Sequence, residues 1–183
     1  MLHSAPSPLQ TTLPLLALLV GLARLAPAQS PPAAAAWPDH SRLLPAKLRG
    51  VPTGLALVHT PGLVRPQPDP AQPGRYVWAH RTSVRAEVAD LHIVECGSFI
   101  WYDSTGWHPN LRETPAEFAR LFACPRGQLR RGRTYTFRRN YRFAPAGQLY
   151  GGDALWYVLA KDAQGRLYKG WAVVETEAGP AGK

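Results

Sequence analysis

Between Glu117 and Asp153 the chain carries eight arginines and no acid: Arg120, Arg126, Arg130, Arg131, Arg133, Arg138, Arg139 and Arg142. A guanidinium presents a rigid fork of N–H donors that matches carboxylates, sulfates and phosphates. An acid-free run of them is the raw material of an anion-binding surface. Tyr135 and Tyr141 are interleaved with the arginines and offer flat rings on which a sugar or a base can stack. A second aromatic group, Trp101, Tyr102 and Trp107, brackets the turn residues Asp103-Ser104-Thr105-Gly106. The candidate ligand-binding residues are therefore Arg130, Arg131, Arg133, Arg138, Arg142, Trp101, Tyr102 and Trp107. Two plainer readings stand beside this one. A charged strand face also protects a sheet edge from pairing, and strand aromatics commonly belong to the core.

Specific catalytic patterns are missing from the sequence. It contains no H-E-x-x-H, no G-x-S-x-G, no Walker loop and no Gly-rich dinucleotide turn. His92, His108 and Asp103 are the residues from which a small hydrolytic site could be built, because histidine titrates near neutrality. Glu87, Glu95, Asp103 and Asp153 are the carboxylates of the same region, but their spacing selects no pair suited to glycoside hydrolysis. No metal-ligand spacing and no cofactor motif is recognised.

Compartment decides how the charge and the cysteines are read. Residues 1–28 have the pattern of a secretory signal peptide: an apolar run from Leu13 to Leu22, then Ala26-Pro27-Ala28 before Gln29. The run is about half of what spans a bilayer, and no second apolar stretch is long enough. Removal of the segment takes Arg24 with it and lowers the formal net charge from +9 to +8. The expected location is secreted, periplasmic or cell-envelope. The expected partner is then an anionic glycan, a lipid headgroup or an acidic protein rather than nucleic acid. In an oxidising compartment Cys96 and Cys124 read as a disulfide, worth about 3–4 kcal/mol for a loop of that size.

The elements that must position these residues are mostly strands. Ser30–Pro38 is Pro-rich linker, and residues 29–74 form a Pro-rich region in which Leu55–Thr60 is a candidate edge strand. The compact domain spans residues 75–178, with 179–183 a tail. Arg75–Val88 alternates with the period of a strand, with Val84, Ala86 and Val88 on one face. Leu91–Glu95 and Phe99–Tyr102 form the next strand, with Gly97 a candidate bulge. Thr114-Pro115-Ala116-Glu117 is a capping box that starts a helix, and Pro125 stops it at Cys124. Leu129–Phe143 predicts a strand with Thr134, Thr136, Arg138, Asn140 and Arg142 outward and Tyr135, Phe137, Arg139, Tyr141 and Phe143 inward. Ala154–Lys161 and Leu167–Glu175 flank a turn at residues 162–166 and predict a hairpin.

The spacing Leu129…Gly132…Tyr135 resembles the tyrosine corner of immunoglobulin-like and fibronectin III-like sandwiches. That resemblance implies a Tyr packed at a corner between two sheets. The chain is thus expected to be mainly β, an antiparallel immunoglobulin-like sandwich of about six to eight strands with one short helix; a cupin-like barrel fits the strand count as well. The function expected is a non-catalytic binding or interaction module. A small extracellular hydrolase using His92, His108 and Asp103 and a purely structural envelope domain are the alternatives.

Overall fold

The computed structural model describes residues 43–101 and 105–179. The signal-like segment, the Ser30–Pro38 linker, Tyr102, Asp103 and residues 180–183 lie outside the described residues. Among the described residues the chain is mainly β with one α-helix. In order it forms a 3₁₀ turn at Ala46–Leu48, strands β1 (Leu55–Thr60), β2 (Leu63–Val64), β3 (Gln67–Pro68), β4 (Arg75–Ala86), β5 (Leu91–Trp101) and β6 (Trp107–Glu113), helix α1 (Pro115–Leu121), and strands β7 (Gln128–Leu129), β8 (Thr134–Pro145), β9 (Gly152–Lys161) and β10 (Leu167–Thr176). Three of these strands are only two residues long.

Two sheets result. In the first, β4 is the axis: β8 pairs along one edge, while β1 and β3 pair with different parts of β4. In the second the order is β2-β10-β9-β5-β6, with β7 also on β5. All pairs are antiparallel except β2 with β10. One core lies between the sheets. Leu55, Leu57, Trp78, Val84, Ala86 and Tyr135 from the first meet Ile93, Trp156, Val158, Ala160 and Val174 from the second. Phe118 and Phe122, stacked at 4.3 Å, join the same core from the helical segment.

The second sheet is covered on its other face too. Leu48 packs with Phe99, Leu155, Tyr157 and Leu159, supported by Leu44 and Val51. This explains why every residue of β9 from Leu155 to Ala160 is buried: a strand with both faces covered reads as a continuous apolar run. A charged knot holds the cover in place. Lys47 Nζ pairs with the buried Glu95 carboxylate, which also accepts from Tyr157 Oη at 2.5 Å and from Arg112. Burial alone would raise the Glu95 pKa, but Lys47 and Tyr157 outweigh it and hold the carboxyl below its ordinary value.

Local signals act where expected. The Thr114 hydroxyl accepts from the Glu117 N–H, and Glu117 Oε2 accepts from the Thr114 N–H at 2.7 Å. The helix itself ends at Leu121, before Cys124, because Ala123 turns into the left-handed region at φ 50°. In the β9–β10 hairpin Asp162 accepts from the N–H groups of Gln164 and Arg166. Tyr135 is buried, and its hydroxyl accepts from the Arg130 N–H at 3.3 Å.

Four expectations need correction. Val88 lies beyond β4 and is exposed, so only Val84 and Ala86 of that face are buried. Gly97 is not a bulge; the register shifts on β5 fall at Ile93/Glu95 and Ser98/Phe99. Its role is close approach, since a Cβ there would stand 2.7 Å from Tyr157 Oη. Cys96 and Cys124 are not joined: both are free buried thiols. Cys124 Sγ donates instead to the Gln128 carbonyl at 3.2 Å, and burial pushes its pKa up to about 11. The fourth correction concerns β8, and it creates the candidate site.

Candidate functional site

β8 does not keep one parity. His80 of β4 faces Asn140, yet Thr82 faces Phe137, so two steps on β4 match three on β8. The extra residue is a β-bulge that places Arg138 and Arg139 opposite Arg81. One inserted residue exchanges the faces of everything beyond it. Tyr135 and Phe137 therefore point into the protein as expected, but past the bulge Asn140 and Ala144 are buried while Tyr141 and Phe143 are 51% and 58% exposed.

The bulge borders a cavity of about 560 Å³, within the range of small-ligand sites. Its position follows from the sheet. β1 leaves β4 at Thr60, and β3 rejoins β4 only at Val77. The lining includes Thr60, Pro61, Val77 and Ala79 from around this gap, with Arg81, Arg138, Arg139 and Tyr141 from the bulge. Asp69 is the one acid of the lining, and it is engaged by Arg75 and by the Ala71 N–H. Those two contacts hold its carboxyl below the ordinary value, the Ala71 hydrogen bond foremost. No carboxylate among the described residues lies within ion-pairing distance of Arg81, Arg138 or Arg139. The cavity is thus a concave surface with three uncompensated guanidinium groups and one exposed phenol ring.

A buried polar network lies on the inner face of the same strands. Asn140 Nδ2 donates to Thr82 Oγ1 at 2.8 Å. His59 Nδ1 and Nε2 lie 3.0 Å from Thr82 Oγ1 and 3.3 Å from the Ala172 carbonyl of β10. A carbonyl only accepts, so the His59 proton sits on Nε2 and Nδ1 accepts from the Thr82 hydroxyl. The chain of donors runs in one direction from Asn140 to β10 and ties the two sheets together. His80 meets the His59 ring edge-on at 5.2 Å and contributes to the cavity lining. Burial and the neighbouring His80 push the His59 pKa down to about 4, and burial lowers that of His80. Both rings are neutral at physiological pH, so they stiffen the wall of the cavity without adding charge.

Of the eight candidate ligand-binding residues, only Arg138 lines this cavity; Arg139 and Tyr141, named in the same arginine window, line it too. Arg130 and the Arg131 N–H bind Asp90 at 2.6 and 2.8 Å, and Arg133 lies 5.2 Å over the Tyr135 ring. These three brace the turn into β8. Arg142 is half-buried, 4.4 Å over the Trp78 ring, with Nη1 donating to Thr176 Oγ1. Trp101 is buried and meets the half-buried Trp107 edge-to-face at 5.2 Å, and Trp107 packs on the second core. This pair is packing rather than a platform; Tyr102 lies outside the described residues. His92 is exposed near the start of β5, while His108 pairs with Ile100 near its end. Eight strand positions separate those sites, roughly 26 Å at the rise of a strand, so the structure does not bring the two histidines together.

Sequence reading missed Arg75, Arg81 and the His59–His80 pair; it named Arg139 and Tyr141 in the arginine window but not among the candidate ligand-binding residues. Strand alternation places Arg139 and Tyr141 on the inward face, because nothing in the pattern marks the bulge. His59 and His80 meet only through the pairing of β1 with β4. Comparison of the chain with protein-family models, with curated proteins and with solved structures finds no match.

Proposed function

We propose that the protein is a secreted or cell-envelope binding module, an immunoglobulin-like β-sandwich, that holds an acidic carbohydrate in the cavity beside the β8 bulge. The observation that carries the reading is the trio Arg81, Arg138 and Arg139, which lines a concave space whose one acid, Asp69, is engaged by Arg75 and the Ala71 N–H. Guanidinium groups supply fork-shaped donors for a uronate or sulfate. Tyr141 supplies a ring against which the apolar C–H face of a sugar can lie. The signal-like residues 1–28 support an extracytoplasmic location, and the Tyr135–Arg130 hydrogen bond supports the sandwich class.

Calorimetry with oligogalacturonides and with neutral dextran tests the reading. The acidic sugar is expected to bind and dextran not. The double variant Arg138→Gln/Arg139→Gln should lose at least tenfold in affinity, whereas Arg120→Gln on the helix should lose less than twofold. Binding should also weaken as salt is raised, since the charges are near solvent. Equal affinity for both sugars, or tighter capture of anionic vesicles, acidic peptides or a single-stranded oligonucleotide, would overturn it.

A further inference from the structure

The outer face of β8 continues beyond the cavity, and what it exposes is out of character for a strand face. Tyr141 lines the cavity; Phe143, two residues on, lies outside the lining on the same side of the strand. Both are more than half exposed, and their ring centroids are 6.2 Å apart. Large aromatic rings left in water along one line mark an interaction surface. Cations surround this pair. The Arg75 guanidinium sits 5.3 Å from the Phe143 ring, fixed by its ion pair with Asp69. Arg138 and Arg139 precede Tyr141 on β8, and Arg81 lies across from them at the bulge.

We infer that Tyr141 and Phe143 form two successive stacking subsites for a linear acidic oligosaccharide, the first inside the arginine cavity and the second beyond its rim. This rests on the acidic-carbohydrate reading above and extends it from a single sugar to a chain. Three features select this occupant. The rings are spaced by the two-residue repeat of one strand face, so they present successive platforms along one line, as a polymer of ring units requires. The surrounding arginines demand negative charge at the edges of those units, and a uronate carries its carboxylate on the ring periphery. A second copy of this chain is disfavoured, because docking this face on itself would set the uncompensated Arg81, Arg138 and Arg139 against the same three groups.

Oligogalacturonides of two and six units, titrated calorimetrically, separate the two levels of the reading. The six-unit sugar is expected to bind at least tenfold more tightly than the two-unit sugar. Phe143→Ala should remove most of that difference while changing two-unit binding by less than twofold. Its residual difference reports the extra registers open to a longer chain. Tyr141→Ala should weaken both lengths. Both residues are exposed, and an unchanged melting temperature confirms that each variant is folded. Equal affinity for the two lengths, or equal losses for both in Phe143→Ala, overturns the second subsite and leaves the cavity reading in place. Failure of both lengths to bind the unaltered protein overturns the cavity reading and the subsites together.

Discussion

Acidification from pH 7.5 to 5 should destabilise the fold through His59. This ring is 7% exposed, lies against His80 and titrates near 4 rather than at its ordinary 6.5. A depressed histidine pKa means that the unfolded chain binds more protons than the folded one below about pH 6.5. Stability is then complete above that value and falls as pH drops towards 4. With those two pKa values, linkage gives a loss of about 2 kcal/mol at pH 5 and about 3 kcal/mol at pH 4. His80, lowered by burial, acts in the same direction. Glu113, raised by burial and by Glu117, acts in the opposite one. The His59 contribution is isolated by comparing the unaltered protein with His59→Gln in urea unfolding followed by tryptophan fluorescence. The variant should be less stable at pH 7.5, because it disturbs the link between Thr82 and β10. Its loss between pH 7.5 and 5 should be smaller than that of the unaltered protein by about 2 kcal/mol, the share calculated for His59. Identical pH dependence in the two proteins would refute the assignment of a neutral, buried His59.

Two further substitutions probe the scaffold. Gly97→Ala would set a Cβ against the Leu111 carbonyl of β6 and 2.7 Å from Tyr157 Oη of β9, so it should cost about 1–3 kcal/mol through overpacking and lower the urea midpoint; an unchanged midpoint would show that β5 can part from its neighbours there. Tyr135→Phe removes the acceptor of the Arg130 N–H while keeping the ring in the core, and should cost about 1 kcal/mol in the same assay, with loss within error counting against a structural role for the corner.

Much of the fold was legible because the signals are local. The capping box at Thr114 needs only four residues to satisfy its own N–H groups. The turn at Asp162 closes a hairpin whose strands are neighbours in the chain. The alternation of β4 and the apolar run of β9 report how many faces of each strand are covered. The supposed disulfide failed for a different reason: composition shows that two cysteines exist, but not whether two backbones bring them within bonding reach.

The candidate site was legible only in part. The acid-free arginine window contained Arg138 and Arg139, which line the cavity, but it also gathered arginines with quite different duties. Arg130 and Arg131 are engaged with Asp90, forty residues away, and Arg142 lies over Trp78 from a neighbouring strand. Charge in a window says that cations are present; it does not say which of them find a partner.

By itself, then, the sequence determined the β character, the helix start, the last hairpin and the concentration of positive charge, because each depends on residues close together in the chain. Tertiary structure alone decided which cations remain uncompensated and which way they face. A single extra residue on β8, accommodated by pairing with a strand more than fifty residues earlier, turned Tyr141 and Phe143 outward and drew Asn140 and Arg142 inward. The pairing of β1 with β4 set His59 beside His80. Strand periodicity carries no record of such a shift, since the bulge exists only where two strands meet.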